Sequence, residues 1–189
     1  RMAGQLVLSI AAGVRVADLS RWLGGHDRIV RAMPNTPALV RAGISGLYAA
    51  PGLTAEARSD AEAVLRAVGG VVWVEAETQL DAVTAISGSG PAYVFYCIEA
   101  LEAAAVVQGL APQIARQLAL QTFFGAGKLA LESGEEPALL RQRVTSRGGT
   151  TERGLAALDA GDVKAAFAAA AAAASRRSAE LGDELGRLA

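Results

Sequence analysis

The sequence has little of the chemistry that many enzymes use directly. It has one cysteine, Cys97, and one histidine, His26. An internal disulfide is therefore impossible, and an ordinary zinc site is not available. The net charge of −1 gives no basic surface for nucleic acid or for an anionic membrane. We therefore predict a protein without a metal, a nucleic-acid partner or a membrane partner, and the single cysteine fits a cytoplasmic location.

Long uninterrupted apolar runs are also scarce. The longest ones contain glutamates or consist of alanine, so we predict no membrane span. The content of 52% hydrophobic and 20% charged residues is typical of a globular chain with a sizeable core. The sequence begins at Arg1 without a recognisable signal peptide, and we expect the natural N-terminus to lie upstream.

The sequence also lacks the glycine-rich fingerprint of a dinucleotide-binding domain. A Gly-x-Gly-x-x-Gly turn normally joins the first strand and helix of a nucleotide-binding half. The nearest approach is Gly88-Ser89-Gly90-Pro91-Ala92-Tyr93, which lacks the third glycine and follows a predicted helix. We interpret it as a turn between two helices. The sequence is therefore expected to lack the part of a cofactor domain that binds the pyrophosphate.

Short apolar runs alternate with helical patterns up to residue 75. We predict strands at 5–10, 28–32, 43–49 and 71–75, and helices at 14–23 and 54–68. Thr54 is the predicted N-cap of the second helix. Its predicted inward positions are Ala57, Ala61, Val64, Leu65 and Val68. This alternation indicates βαβ units and a mostly parallel sheet, about half of a doubly wound fold.

From residue 77 onwards the pattern predicts helices only. They are expected at 80–86, 92–108, 112–132, 136–144, 151–158 and 163–185, with a break at 87–91. We therefore divide the chain into residues 1–77 and an all-helical domain, 78–189. The helix at 92–108 is apolar on most faces, so we expect it to be buried and the helical domain to dimerise. The alanines at 165–174 are either compositional drift or a face for close helix packing.

The segment Val144–Leu155 contains the most specific local pattern. A turn at Gly148-Gly149 allows positive φ and close approach to the backbone. Thr150 or Thr151 can cap the helix that follows, and the amides at such a helix start favour a carboxylate or a phosphate. An ordinary capped helix after a glycine turn explains the same residues, and the segment alone leaves both interpretations open.

Four blocks of the sequence resemble pyrroline-5-carboxylate reductases. They are residues 9–13 (SIAAG), 33–40 (MPNTPALV), 85–93 (AISGSGPAY) and 137–159 around Gly-Gly-Thr-Thr. They occur in the family's order and at similar spacings, and together they cover the chain from about residue 7 to residue 181. One departure is Arg147, at a position where the family commonly has proline.

The resemblance implies a fold and a reaction. The expected fold is part of a Rossmann-like parallel sheet in residues 1–77, the C-terminal portion of an NAD(P)-binding domain. A helical dimerisation and substrate-binding domain, like the C-terminal domain of 6-phosphogluconate dehydrogenase, is expected to follow. The implied reaction is hydride transfer from NADPH or NADH to the C=N bond of 1-pyrroline-5-carboxylate, giving L-proline in the last step of its biosynthesis. The implied assembly is a homodimer, with pentamers of dimers (homodecamers) in the family.

The resemblance also implies site residues. The turn at Ile10, Ala11 and Ala12 follows a predicted parallel strand, where ligands of such sheets bind, and its small residues admit a flat ring. The family contacts the nicotinamide end of the cofactor there. Pro34 and Asn35 end the next strand, and Asn35 is suited to bond a carboxamide or, alternatively, its own backbone.

For the substrate, the family binds the carboxylate on the amides of Gly149, Thr150 and Thr151, with Gly148 and Ser146 in the same turn. The implied catalytic residue is Thr151, whose hydroxyl reaches the ring nitrogen. Glu77 matches a position that faces the substrate, where a carboxylate favours the protonated imine. A solvated residue in an acidic stretch is an equally good interpretation of Glu77.

Two other functions remain open at this point. One is a different NAD(P)-dependent enzyme related to the β-hydroxyacid dehydrogenases, which needs an acid–base group such as a lysine. Lys128 and Lys164 are available, but no motif places either of them. The other is a non-catalytic helical dimerisation fragment, which the missing fingerprint favours and the Gly-Gly-Thr-Thr motif disfavours.

Overall fold

The computed structural model describes residues 4–187. The strands are β1 (Val7–Ser9), β2 (Ile29–Met33), β3 (Gly43–Ala49) and β4 (Gly69–Trp73). The helices are α1 (Val16–Trp22), α2 (Ala55–Arg66), α3 (Gln79–Val83), α4 (Gly90–Val107), α5 (Pro112–Ser133), α6 (Pro137–Arg143), α7 (Thr150–Ala160) and α8 (Val163–Gly186). A 3-10 helix spans Thr36–Val40 and a π-helix spans Thr84–Gly88. The predicted alternation of strands and helices, followed by helices alone, is confirmed.

The chain forms two compact units. The sheet unit joins the chain up to Pro91 with the part from Ala169 onwards, and the helical unit is Ala92–Ala168. The boundary at 168/169 falls inside α8 and inside the predicted alanine run. Most of α8, from Ala169 onwards, therefore groups with the sheet, a grouping that no sequence pattern indicated.

The sheet has the order β1-β2-β3-β4. β1 pairs with β2 in parallel, and β3 pairs with β4 in parallel, whereas β2 and β3 are antiparallel. The antiparallel pair departs from a strict series of βαβ units. Only the short 3-10 helix links these two strands, and a parallel crossover needs about a dozen residues or more. The predicted fold class, a partial and mostly parallel sheet followed by helices, is confirmed.

Helix α2 packs on the sheet through small and branched side chains. Ala61 and Leu65 join a buried cluster with Val30 and Leu47. The predicted N-cap is confirmed, because the Ala57 amide donates to Thr54 Oγ1 at 3.3 Å. The inward prediction is correct for Ala57, Ala61 and Leu65. It is wrong for Val64, which is exposed because it lies beside the stripe that repeats every four residues.

The predicted break at 87–91 is wrong, because the chain stays helical there. The π-helix joins α3 to α4, and the Ser89 amide donates to the Thr84 carbonyl at 2.8 Å. The resulting helical segment Gln79–Val107 is long and apolar enough to cross a membrane by length and composition alone. None of its most apolar window is buried within the chain.

The helical unit leaves most of its apolar surface uncovered. Ala115 and Ala119 are its buried hydrophobic residues, and α4 has none. The expectation that α4 is buried is therefore not met within a single chain. The large apolar side chains that are at least half exposed in this unit include Phe95, Tyr96, Val107, Ile114, Leu118, Phe124, Leu129, Leu131, Val144 and Leu158. So much exposed apolar surface is typical of an interface rather than of a free surface.

Candidate functional site

The predicted nicotinamide contacts come together at one edge of the sheet. Because β1 and β2 are parallel, the residues that follow them, Ile10-Ala11-Ala12 and Pro34-Asn35, emerge at the same edge. The first three are exposed and the other two are half-buried. The start of β3 reaches this edge as well, because β3 runs antiparallel to β2. Exposed small residues beside one another fit the approach of a flat ring.

Asn35 uses both ends of its side-chain amide within the protein. Its Oδ1 accepts from the Ile44 amide at 2.9 Å, and its Nδ2 donates to the Ser87 carbonyl at 3.1 Å. Pro91 explains the second bond, because proline has no N–H to offer the carbonyl four residues earlier and its ring crowds that carbonyl. Asn35 therefore links the end of β2 to the start of β3 and to the π-helix. Neither of the two bonds reaches its own residue's backbone.

Glu77 is held by two donors of the sheet unit. Its Oε1 accepts from the Val16 amide at 2.8 Å and from Arg31 Nη1 at 3.0 Å. The N-cap residue of α1 is Arg15, which gives no side-chain cap, so Glu77 supplies a carboxylate at that helix start. Arg31 is buried, which makes Glu77 the charge partner of a buried guanidinium. Its role beside a protonated imine stays a prediction.

The Gly-Gly-Thr-Thr turn has a different cap from the predicted one. The N-cap of α7 is Gly149, no side chain caps it, and Thr150 and Thr151 are the first two helical residues. The prediction that a threonine caps the helix is therefore wrong. Gly148 adopts a left-handed conformation (φ 72°), and the extended N-cap position falls on Gly149, one residue before Thr150. The amides of Thr150 and Thr151 are then at helix positions that have no intrahelical partner.

Glycine is needed at positions 148 and 149 for two different physical reasons. Gly148 has positive φ, which side chains with a Cβ rarely adopt. Gly149 must lack a Cβ because the Ser146 hydroxyl occupies that space, and its amide donates to the Ser146 carbonyl at 3.0 Å. Ser146 is therefore packed directly on the turn.

Sequence reasoning missed Glu152 in this turn. Its Oε2 accepts from the Gly148 amide at 2.8 Å, which fixes the residue with positive φ. The contact differs from a capping box, because the N-cap is a glycine and Glu152 bonds the amide of the residue before it, so no standard sequence pattern indicated it. Arg147 and Arg153 are both exposed beside the turn.

The two lysines considered as acid–base groups lie on the surface. Lys128 Nζ is 3.7 Å from Glu132, and Lys164 donates to Asp159 at 2.9 Å. Both lysines are more than half exposed. The bond from Lys164 lowers the pKa of the Asp159 carboxyl. Over residues 4–187 no three His, Cys, Asp or Glu side chains gather as a metal site would need.

Comparison with known proteins gives concordant matches. The family model "Pyrroline-5-carboxylate reductase dimerisation" matches residues 77–181. The pyrroline-5-carboxylate reductase of Pseudomonas aeruginosa is 49% identical over 183 residues, covering 97% of this chain and 67% of the relative. That of Synechocystis is 46% identical, covering 94% and 66%. The chain thus spans about two thirds of the length of these relatives.

Solved structures agree with the sequence relatives. A pyrroline-5-carboxylate reductase from Coxiella burnetii superposes with a TM-score of 0.91 at 46% identity, covering 93% of this chain and 65% of that one. The Plasmodium falciparum enzyme, solved with NADP bound, gives 0.84 at 31% identity, covering 94% and 71%. With the family model matching more than half of the sequence, this chain belongs to the pyrroline-5-carboxylate reductase family.

Proposed function

We propose that the protein containing this chain reduces 1-pyrroline-5-carboxylate to L-proline with NADPH or NADH. The observation that carries the proposal is the Gly-Gly-Thr-Thr turn, whose two helix-starting amides are suited to a small carboxylate. Family membership supports the same reaction, and so does the NADP in the Plasmodium falciparum relative.

The cofactor residues of the proposal are those at the sheet edge. Ile10, Ala11 and Ala12 would lie against the nicotinamide, with Pro34 and Asn35 beside them. The fit rests on the exposed residues 10–12 after β1 and the half-buried residues 34–35 after β2, at the carboxyl ends of two parallel strands. When bound, the reduced cofactor supplies the hydride, and the residues around it bind and orient the ring.

The substrate residues of the proposal are those of the turn. The amides of Thr150 and Thr151 would bind the carboxylate, aided by the dipole of the eleven-residue helix α7. The Gly149 amide already bonds Ser146, and the Gly148 amide already bonds Glu152. These two glycines and Ser146 therefore shape the turn, and Thr150 and Thr151 make the contact.

Thr151 is the proposed catalytic residue. Its amide is one of the two proposed carboxylate contacts, and its hydroxyl would bond the ring nitrogen. The nitrogen must carry a proton when the carbon accepts the hydride, so that the C=N bond becomes an amine. A hydroxyl that holds this proton in place lowers the barrier. Glu77, which the family resemblance assigns to the substrate-facing side, is retained in the proposal as a carboxylate that favours the protonated imine.

The proposed assembly is a homodimer through the helical domain, 78–189, with residues 1–77 belonging to the cofactor domain. The uncovered apolar side chains of α4 and α5 support a second copy as the occupant, and so does the dimerisation model that covers them. The pentamer of dimers and the cytoplasmic location extend the proposal by family resemblance.

The test uses the full-length natural protein with purified 1-pyrroline-5-carboxylate. Oxidation of NADPH with formation of L-proline is the expected result. Oxidation of β-hydroxy acids with NADP⁺ and no imine reduction would instead support the related dehydrogenase, which the surface positions of Lys128 and Lys164 disfavour. A stable dimer with neither activity would support the dimerisation fragment.

A further inference from the structure

We propose that the last turns of α8, Ser178–Gly186, hold the β1–α1 turn in position, with Arg15 and Asp183 as the positioning pair. This rests on the proposed function, because the β1–α1 turn carries the nicotinamide contacts 10–12. The inference assigns a role in cofactor binding to the end of α8, a helix that the dimerisation model covers up to residue 181. All of the contacts that carry it lie within the sheet unit.

Small residues on one face of α8 let α1 approach closely. Ser178, Gly182 and Gly186 follow one another at intervals of four and therefore share a face. A Cβ on Gly182 would lie 2.9 Å from Nη2 of Arg15, and one on Gly186 would lie 3.2 Å from Oδ2 of Asp18. A side chain at position 182 or 186 would crowd Arg15 or Asp18, so the two glycines leave room for these charged side chains.

Hydrogen bonds hold α1 against α8. Arg15 Nη2 donates to Asp183 Oδ1 at 2.6 Å and to the Ala179 carbonyl at 3.3 Å. Arg21 Nη2 donates to the Gly186 carbonyl at 3.1 Å. The bond from Asp183 raises the pKa of Arg15, although burial works against it. Both ends of α1 are therefore tied to the same helix.

The turn itself rests on α8. Gly13 comes directly after the predicted nicotinamide contacts, is buried and has φ 77°. A Cβ there would lie 3.0 Å from Cδ1 of Leu185 and 3.4 Å from the backbone of Leu181. Residues 10–12 are exposed, so the turn has protein on the α8 side and an open side for a ligand.

A further bond anchors α8 independently of α1. The Ser178 hydroxyl donates to Asp81 of α3 at 2.7 Å, and Ser178 is buried. The end of α8 is therefore fixed by α3 at one point and holds α1 from there. Loosening the Arg15–Asp183 pair should move the nicotinamide turn without moving the carboxylate-binding turn, which belongs to the helical unit.

The test compares Asp183→Ala with Glu184→Ala in the full-length enzyme. Glu184 is the adjacent residue and bonds Arg177 of its own helix at 2.7 Å, so its loss removes an ion pair without touching α1. We expect Asp183→Ala to raise the KM for NADPH about two- to five-fold, because an ion pair between two half-exposed side chains contributes only a small free energy. The KM for the imine, the oligomer mass and the values of Glu184→Ala should equal those of the wild type.

Two further variants test the mechanism of the effect. Asp183→Glu keeps the carboxylate and should restore the wild-type KM for NADPH. Gly182→Ala displaces the end of the Arg15 side chain and should reproduce the Asp183→Ala effect. The proposal is overturned if Asp183→Ala and Glu184→Ala behave alike, or if the KM values for NADPH and imine rise together. Loss of imine reduction by the wild-type enzyme would refute the proposed function instead.

Discussion

Removal of the Asn35 side chain should produce a stability loss that depends on Pro91. Asn35→Ala removes the side-chain donor to the Ser87 carbonyl, and Pro91 has no N–H at the position four residues later that could replace it. It also frees the Ile44 amide, which is exposed and can turn to water. An unsatisfied, partly buried carbonyl costs about 1 kcal/mol, and the exposed bond adds about 0.5 kcal/mol. We expect a total loss of about 1.5 kcal/mol in the free energy of unfolding.

The assay is a double-mutant cycle with Pro91→Ala, measured by urea unfolding at one fixed protein concentration. Alanine at position 91 has an N–H that can bond the Ser87 carbonyl, so Asn35→Ala should cost about 1 kcal/mol less in that background. Asn35→Asp is the control for the other end of the side chain, because it keeps an acceptor for Ile44 and lacks the donor for Ser87. Additive losses in the cycle would refute the compensation between Asn35 and Pro91.

Gly149→Ala should raise the KM for the imine more than Gly154→Ala in the same helix, where a Cβ meets nothing, because the new Cβ displaces the Ser146 hydroxyl; equal effects would contradict this reason. Bonds from Trp73 and then Arg66 lower the pKa of Glu62, so its contribution to stability is present above the ordinary carboxyl pKa and is lost as the pH falls through the lowered value. Glu62→Gln should therefore flatten the acid limb of a stability–pH curve, and an unchanged limb would count against it. Tyr96→Glu on the exposed face of α4 should lower the oligomer mass in light scattering while Thr145→Ala leaves it unchanged, and an intact dimer would show that α4 faces elsewhere.

The elements of the chain were predictable where a local pattern decides them. In helix α2 the threonine cap and the inward positions Ala57, Ala61 and Leu65 were predicted correctly, because they depend on nearby residues only. The antiparallel direction of β3 was not predicted, since it depends on the short link from β2 and on which side of β2 is left free by β1.

The helix break at 87–91 shows how a distant residue can override a local pattern. Glycine and proline there predict a stop, yet the π-helix and the side chain of Asn35 absorb the missing hydrogen bond. The burial of α4 could not be judged from the sequence of one chain, because its apolar faces remain uncovered within that chain.

The features of the candidate site also divide into those that local sequence predicts and those that depend on distant residues. The sheet-edge turns follow from the parallel β1–β2 pair, and the Gly-Gly turn follows from its own composition. Glu77 bonding Arg31 and α1 could not be inferred, because the three segments are far apart in sequence. The packing of Arg15 on Gly182 could not be inferred either, since an isolated glycine in a helix does not indicate which side chain approaches it.

The measurement that tests the account most directly is the kcat/KM for 1-pyrroline-5-carboxylate of Thr151→Ala beside Thr145→Ala in the full-length enzyme. Thr145 has the same side chain in the same segment, and its hydroxyl bonds the Arg141 carbonyl at 2.6 Å instead of facing a ligand. We expect a loss of about 100-fold for Thr151→Ala and little change for Thr145→Ala, with both proteins still dimeric. Equal activity in the two variants, or loss of the dimer in Thr151→Ala alone, would contradict the catalytic role of Thr151.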